Sequence, residues 1–576
     1  MARDRARDPA RGAEIATVIP LFFFLLLFPS VLPGQTVAPQ PSVSRIHELY
    51  SKGRYSEIVV LVPGSPTDPA ELDLYRGLAL AKLGRWTQAK AAFEAARAKE
   101  PKNERFLVEL AGVDYRTNHF REAKRELRQA LALRPGDAYA RNFLATIYWI
   151  EGNLGGAIAQ WNEIGKPKIT AIRMEPKPQL RNAILKRAFV FRPPGTLRWD
   201  DLLTTRALLD NLGIFPGYRF DLSPSQPGAF TLDFQPVQHD GWGSSKLDRL
   251  VRLLRDLPTA IHLDYYNLHG SAININSLFR WDKNTRRVSA DVSMPLGDNP
   301  RWRFTLQADA RNENWDLSRT FRGATAPLSA LNLEKIEFSP QWKFVENGRW
   351  SWQTGVVYAY RRFRNVPNLS PAAAAFFTSG GSLEYRARTD YRILDVPERR
   401  LTIYSGVSGS FGKNFARALG PFGTIEASVA IRWFPKPEGQ DYQTSLRFRT
   451  GRAFGSATLD QLYQLGVERD NDLPVRGISG TRHGRKGNAP LGREFALWNW
   501  ETDKTIFENG YVTVQLGPFF DVGRIADPSG MFGSTGWLWD PGLECKVRLF
   551  GDVQVIVSYS RDLHSGSSVL YESASR

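Results

Sequence analysis

Leu473-Pro474-Val475-Arg476-Gly477-Ile478 opens a polar, glycine-rich passage that ends at Phe519-Phe520-Asp521-Val522-Gly523. The first motif lies in a long connection between two segments of alternating apolar and polar residues. The second lies on such a segment, 45 residues further on counted from Arg476 to Asp521. A long connection that folds inward loses conformational freedom, so something must hold it in place. An arginine and an aspartate screened from water can do so, through paired, charge-assisted hydrogen bonds. Gly477 and Gly523 allow close approach of backbone. The plainer alternative is an exposed arginine and a strand-end aspartate that never meet.

The surroundings weigh on that choice. After Pro258 the chain alternates repeatedly. Trp302, Phe304, Leu306, Ala308 and Ala310 interleave with Arg303, Thr305, Gln307 and Asp309, and Ile425, Ala427, Val429, Ile431 and Trp433 form a similar run. One face is apolar and the other polar, which suits lipid outside and a wet lumen inside. A soluble sandwich also alternates. No stretch after the N-terminal segment approaches 18 consecutive apolar residues, so a membrane protein built here must be a β-barrel and not a helical bundle. At ~10 residues per strand plus connections, residues 259–576 predict about 16 strands.

The first residues read as a secretory signal over 1–34. Arg3, Arg5, Arg7 and Arg11 precede an apolar run centred on Leu21-Phe22-Phe23-Phe24-Leu25-Leu26-Leu27. Pro29 then breaks the run, and no cysteine follows it that could carry a lipid. The only cysteine, Cys545, cannot form an internal disulfide and reads as a small apolar side chain. Lys and Arg exceed Asp and Glu by 17, but the excess is spread over every segment. It reads as solvated surface with some affinity for anionic lipid, and nucleic acid is not an expected partner.

Residues 40–170 repeat with a period of 34: Gly77, Ala111 and Ala145 are equivalent, as are Ala89, Ala123 and Ala157, and Phe93, Leu127 and Trp161. Small residues where paired helices touch, with a bulky residue filling the gap, resemble the tetratricopeptide repeat (TPR). Such units bury their apolar sides only by stacking. The resemblance implies a superhelix whose concave face holds peptides; a bare spacer is the alternative. Residues 185–240 predict a strand at Phe189-Val190-Phe191, a helix capped by Asp200 or Asp201 and stopped by Gly213, and strands at 218–222 and 230–234. Leu212-Gly213-Ile214-Phe215 followed by two strands resembles a POTRA module, the periplasmic unit that precedes certain outer-membrane barrels. Residues 244–257 read as a linking helix, and the barrel is assigned to 244–576.

With these segments in view, the paired motifs resemble those of the BamA/TamA and two-partner-secretion transporter superfamily of outer-membrane β-barrels. That family folds a Val-Arg-Gly-aromatic loop into the lumen, where its arginine meets the aspartate of a Phe-x-Asp-x-Gly strand. Val475, Arg476, Gly477 and Ile478 carry the loop motif, with Ile478 in place of the aromatic residue. Phe519, Asp521 and Gly523 carry the strand motif. The expected fold is therefore multidomain: a TPR superhelix, one POTRA-like module and a transmembrane antiparallel barrel. The resemblance implies outer-membrane location with the N-terminal domains periplasmic. Client outer-membrane or secreted proteins are the implied partners, with the lipid bilayer and any periplasmic or lipoprotein accessory factors. It also implies a weak seam between the first strand, within 260–267 (Ile261, Leu263, Tyr265), and a short last strand, within 568–573 (Val569, Tyr571). A TPR-coupled polysaccharide-export porin is the alternative function, and a repeat scaffold merely anchored by its barrel is a third.

No enzymatic constellation emerges, and no cofactor or metal is expected. The seven histidines are scattered, without metal-ligand spacing. Gly477-Ile478-Ser479-Gly480-Thr481 lacks the second glycine of a nucleophile elbow.

Overall fold

The computed structural model describes residues 41–575 except 227, 244–258, 325–327, 417–418, 437–438, 440, 535 and 550–552. The signal segment and the linking helix expected at 244–257 lie outside these residues. The chain divides into two compact units, Met1–Lys99 and Glu100–Arg576.

The first unit has four helices, α1 (Val43–Ser51), α2 (Tyr55–Leu61), α3 (Ala70–Lys82) and α4 (Trp86–Lys99); the first three pack around Ile46, Ile58, Leu72 and Ala79, and α4 pairs with α3. The small-versus-bulky rule of the repeat has a direct cause here. A Cβ on Gly77 would stand 2.5 Å from the Phe93 ring, so only glycine lets α3 and α4 approach this closely. Lys99 ties the end of α4 back to α3 through Asp73.

The second unit begins with two more helix pairs: α5 (Glu104–Arg116) and α6 (Phe120–Leu133), then α7 (Ala138–Ile150) and α8 (Leu154–Asn162). Ala111 with Leu127, and Ala145 with Trp161, are buried at the positions equivalent to Gly77 and Phe93. Asp137 caps α7 by accepting from the amides of Tyr139 and Ala140.

An α/β module follows. Its sheet has the order β2-β1-β4-β3, with β1 (Lys168–Met174), β2 (Gly195–Thr196), β3 (Gly217–Gln226) and β4 (Ala229–Val237). Strand β1 runs parallel to β4. The expected strand at Phe189–Phe191 is not formed. That stretch follows α9 (Asn182–Ala188) and sends Phe189 and Phe191 into the module's core, while β1, earlier in the chain, takes the sheet position. Helix α10 (Trp199–Leu212) starts without a side-chain cap; Asp200 and Asp201 lie in its first turn, where they favour the helix dipole. Gly213, at φ 63°, ends it.

The barrel closes with its last strand beside its first. Its strands are β5 (Ala260–His262) with β6 (Tyr265–Leu268), β7 (Ile273–Trp281), β8 (Thr285–Leu296), β9 (Asn299–Trp315), β10 (Leu331–Val345), β11 (Trp350–Arg364), β12 (Gly380–Val396), β13 (Leu401–Asn414), β14 (Pro421–Trp433) and β15 (Tyr442–Gly455). The long connection 456–493 carries four two-residue pieces: β16 (Tyr463–Gln464), β17 (Thr481–Arg482), β18 (Arg485–Lys486) and β19 (Leu491–Gly492). The wall resumes with β20 (Glu494–Glu508), β21 (Val512–Ala526), β22 (Leu538–Leu549), β23 (Val553–Arg561) and β24 (Ser568–Ser575).

Segments β5 and β6 face β7 along one line, so they are a single interrupted strand. Among the described residues the wall thus has fifteen strands against the sixteen expected. Every interior pairing is antiparallel, so the first and last strands run in the same direction. The first strand is not continuous over 260–267. The ladder lapses at Leu263 and Asp264, where Ser277 takes over: its hydroxyl donates to the Leu263 carbonyl at 2.6 Å and its amide to the Asp264 carboxylate at 3.2 Å. The last strand is longer than expected, reaching Ser575 and pairing with β23 along its length.

Outside, Ile336, Phe338, Tyr358, Phe411, Ile425, Leu543 and Tyr559 are all exposed. A belt of this size is what lipid covers, and it separates this barrel from a soluble sandwich. The module sits against one rim. Trp199 donates to Asp395 at 2.7 Å, Gly348 N to Thr204 Oγ1 at 3.0 Å, and Arg303 to the Leu212 carbonyl at 2.7 Å. Gly348 lies on the short connection β10–β11, and Arg303 and Asp395 lie on β9 and β12 within a few residues of the short connections β8–β9 and β12–β13. At the opposite end the long connections pack on one another around Phe321, Phe376, Phe377 and Phe532.

Candidate functional site

The inner face of β20, β21 and β22 is set by simple alternation. Trp498 and Trp500 of β20 leave Asn499 and Glu501 to the lumen; Phe520 and Val522 of β21 leave Phe519 and Asp521; Trp539 and Leu543 of β22 leave Asp540 and Glu544. The pairing register puts Asp521 opposite Asn499 on one side and Asp540 on the other. Residues 456–493 fold inward over this wall.

Arg476 lands on Asp521. Its Nε donates to Asp521 Oδ2 at 2.8 Å and its Nη2 to Oδ1 at 2.7 Å, a two-pronged contact that lysine cannot copy. The Arg476 backbone amide also donates to Oδ2, at 2.9 Å. Nη1 reaches Glu544 at 2.9 Å and Glu501 at 3.3 Å. The guanidinium lies 3.6 Å above the centre of the buried Phe519 ring, which supplies a cation–π face. Asn499 fixes the far side of Asp521 and also holds the Pro474 carbonyl. Burial opposes the guanidinium charge, but the hydrogen bond and attraction of Asp521, with Glu544 and Glu501, outweigh it and raise the Arg476 pKa above the ordinary arginine value.

The other motif residues have equally local reasons. Gly477 donates its amide to Asp540 Oδ2 at 2.6 Å, and a Cβ there would stand 2.6 Å from that same carboxylate. Gly523 leaves room for Leu465 and Val475, each of which would lie 3.0 Å from a Cβ at that position. Val475 is fully buried in an apolar cluster inside the lumen, with Leu465, Leu473, Leu497 and Leu538. Ile478 packs on the same cluster. Gly542 is a further requirement that the motifs do not name: a Cβ there would meet the Phe519 ring at 2.3 Å.

A second set of charges holds the other end of the same loop. Lys486 donates to Glu313 of β9 at 2.8 Å and to Asp470 at 2.9 Å. Asp470 also accepts from Arg287 of β8 at 2.6 Å and from Arg280 of β7 at 3.2 Å. Burial works against the Lys486 charge, and Glu313, Asp470 and Glu468 overcome it, so its pKa lies above the ordinary lysine value. The isolated sequence does not expose these residues: single charges in a polar passage gain meaning only once the register shows which wall they face. Charged residues on the inward parity of β20 and β22 were the one available signal for Glu501 and Glu544.

Glu501, Asp503 and Glu544 come close enough to suggest a cation site, their ligand oxygens lying within 4.8 Å of one another. The Lys546 ammonium already stands among them, at 3.2, 2.7 and 2.9 Å, and serves as the counter-ion. Of the seam residues, Ile261, Leu263 and Tyr265 lie on or between β5 and β6. Val569 and Tyr571 lie on β24, flanking the outward-facing, exposed Leu570.

The tetratricopeptide repeat family model matches residues 80–160. No curated protein matches the sequence. Among solved structures the chain is similar to BamA and CdiB. BamA from Haemophilus ducreyi lacking POTRA domains 1–3 matches with 12% identity over 71% of this chain and 84% of that one, at a TM-score of 0.41. CdiB from Escherichia coli matches with 13% identity over 71% and 75%, at 0.45. CdiB from Acinetobacter baumannii matches with 12% identity over 71% and 73%, at 0.42.

Proposed function

We propose that the protein sits in the bacterial outer membrane and inserts client proteins into it or secretes them through it. The helical repeats and the α/β module face the periplasm and receive clients; the barrel passes them through a closure that opens sideways into lipid. The observation that carries this reading is the loop pinned inside the barrel, Arg476 on Asp521, beneath a module seated on the short-turn rim. Outer-membrane barrels keep short turns on the periplasmic side, which orients the module and the repeats.

The closure has the features such a gate needs. Its two strands run parallel, and parallel pairing is slightly weaker per residue than antiparallel. The first strand is interrupted at Leu263 and Asp264. Opening exposes backbone groups to lipid unless a client strand pairs with them, so a β-strand client is the natural ligand of the parted edge. No step calls for a nucleotide or metal; client folding and burial supply the driving force.

The polysaccharide-export reading needs an open lumen, and the loop 456–493 folded into that space weighs against it. Reconstitution decides between the two. With Cys545 first replaced, the protein is placed in liposomes and offered an unfolded outer-membrane barrel as client. Faster client folding than in protein-free liposomes, lost when a disulfide joins β5–β6 to β24, is the expected result. Unchanged client folding, with passage of a neutral glucan instead, would replace this reading with the porin.

A further inference from the structure

The loop 456–493 touches the barrel wall on both sides of the closure. On one side Arg476 and Gly477 hold β21 and β22 through Asp521, Asp540 and Glu544. On the other, Asp470 and Lys486 hold β7, β8 and β9 through Arg280, Arg287 and Glu313. Strands β22 and β21 are the third and fourth from the closure in one direction; β8 and β9 are the third and fourth in the other. Backbone contacts reinforce the second attachment. The Asp316 amide donates to the Lys486 carbonyl at 2.8 Å, and Thr320 Oγ1 to the Gly487 carbonyl at 2.8 Å. Tyr571, on the last strand, lies within electrostatic reach of Glu468 and Asp470 of the loop and of Arg280.

We infer that this loop is an internal strut across the closure, and that the Asp470–Lys486 end is the end that releases when the barrel opens. The two β edges cannot separate while both ends hold, because the loop spans the same arc. The ends are built differently. The Arg476 end combines a two-pronged ion pair, a ring face and the apolar cluster of Val475, Leu473 and Leu465. At the other end Lys486, Arg280 and Arg287 all converge on Asp470, and each also has a second carboxylate to fall back on: Glu313, Asp282 and Asp309 respectively. One event that draws Arg280 and Arg287 off Asp470, such as the arrival of an acidic client segment, would loosen both of its wall contacts together. This inference rests on the lateral-opening function proposed above, but its test uses no client, so either can fail without the other.

The test is hydrogen exchange on the purified barrel in nanodiscs, comparing wild type with Asp470→Asn and with Lys486→Met. Retained heat-modifiable migration on gels shows that each variant is folded. Exchange at β5–β6 and at β24 should accelerate by about tenfold or more, the scale expected when hydrogen bonds to a charged group are lost. Exchange at β11–β13, far from the closure, should stay unchanged. The swapped pair Lys486→Glu with Glu313→Lys restores attraction between these two positions, leaves the repulsion from Asp470, and should slow closure exchange relative to Lys486→Glu alone. Faster exchange in residues 468–487 with no change at β5–β6 or β24 would show the loop end released without effect on the closure, and would overturn the strut. Uniform acceleration around the whole barrel would overturn it as well.

Discussion

Removing the Arg476 side chain gives the sharpest test of how the lumen loop is held. In Arg476→Ala, Asp521 loses two hydrogen bonds of 2.7 and 2.8 Å while staying fully buried. It keeps the Arg476 amide and Asn499 as donors but has no cation at contact distance. Breaking a buried pair from one side costs ~3–5 kcal/mol, mostly because the remaining charge is stranded. Arg476→Lys keeps the charge but not the fork, and should cost about half as much. Asp521→Ala leaves Arg476 with Glu544 and Glu501, so it should be milder than Arg476→Ala. The double variant should be much less destabilised than the sum of the singles, with a coupling energy of about 2 kcal/mol or more. The assay is local: hydrogen exchange of residues 473–480 and thermal migration of the barrel on gels, read for all four corners of the cycle. Additive single effects, or an Arg476→Ala variant whose loop exchanges as wild type does, would mean that the contact holds nothing.

Other substitutions probe separate parts of the structure. Gly477→Ala places a methyl 2.6 Å from the Asp540 carboxylate and should cost ~1–3 kcal/mol, seen as faster loop exchange; wild-type exchange would refute the packing account. Leu127→Ala empties a fully buried repeat position and should destabilise the helices by ~2–5 kcal/mol, measured as an earlier loss of helical circular dichroism on heating. Burial raises the Glu109 pKa, with nearby Arg105 only partly compensating, so its contribution to stability is present at low pH and is lost as pH rises through the folded pKa. Glu109→Gln should therefore melt at a higher temperature than wild type near neutral pH, and the difference should vanish under acid conditions; an equal gain at every pH would exclude the charge as its cause.

The sequence made some of this visible and hid the rest for identifiable reasons. The repeat period was readable because each unit reuses one packing contact, so Gly77/Phe93, Ala111/Leu127 and Ala145/Trp161 recur at a fixed spacing. The alternating strands were readable because lipid and lumen impose opposite demands on neighbouring residues. Strand β1 of the module was missed because Lys168–Met174 straddles the end of the repeats, read to 170, and the unassigned residues that follow, and the aromatic run Phe189–Phe191 looked more strand-like. That run is core filling, and in this module tertiary packing overrode local propensity. The break in the first strand was invisible because Ile261, Leu263 and Tyr265 alternate well; at the break Ser277 of the neighbouring strand bonds Leu263 and the Asp264 side chain in place of the ladder. Lys486 and Asp470 carry no motif at all, and their role depends on the strands that the loop happens to cross.

The choice of charges to hold the loop follows from where it sits. An apolar loop would bind the lumen wall through non-directional contacts and could settle in many registers. The ion pairs here add little net stability, because each buried charge must be desolvated. They do set position: Asp521 accepts a planar fork in few orientations, and Gly477 fits only against Asp540. Charged partners can also exchange with water or with another charged chain during the opening proposed above, without exposing apolar surface to a wet lumen. The apolar cluster of Val475, Leu473 and Leu465 anchors the end nearest β21, and charge dominates at the end nearest β8. A loop built in this graded way can keep one end seated while the other lets go, which is what a reversible closure requires.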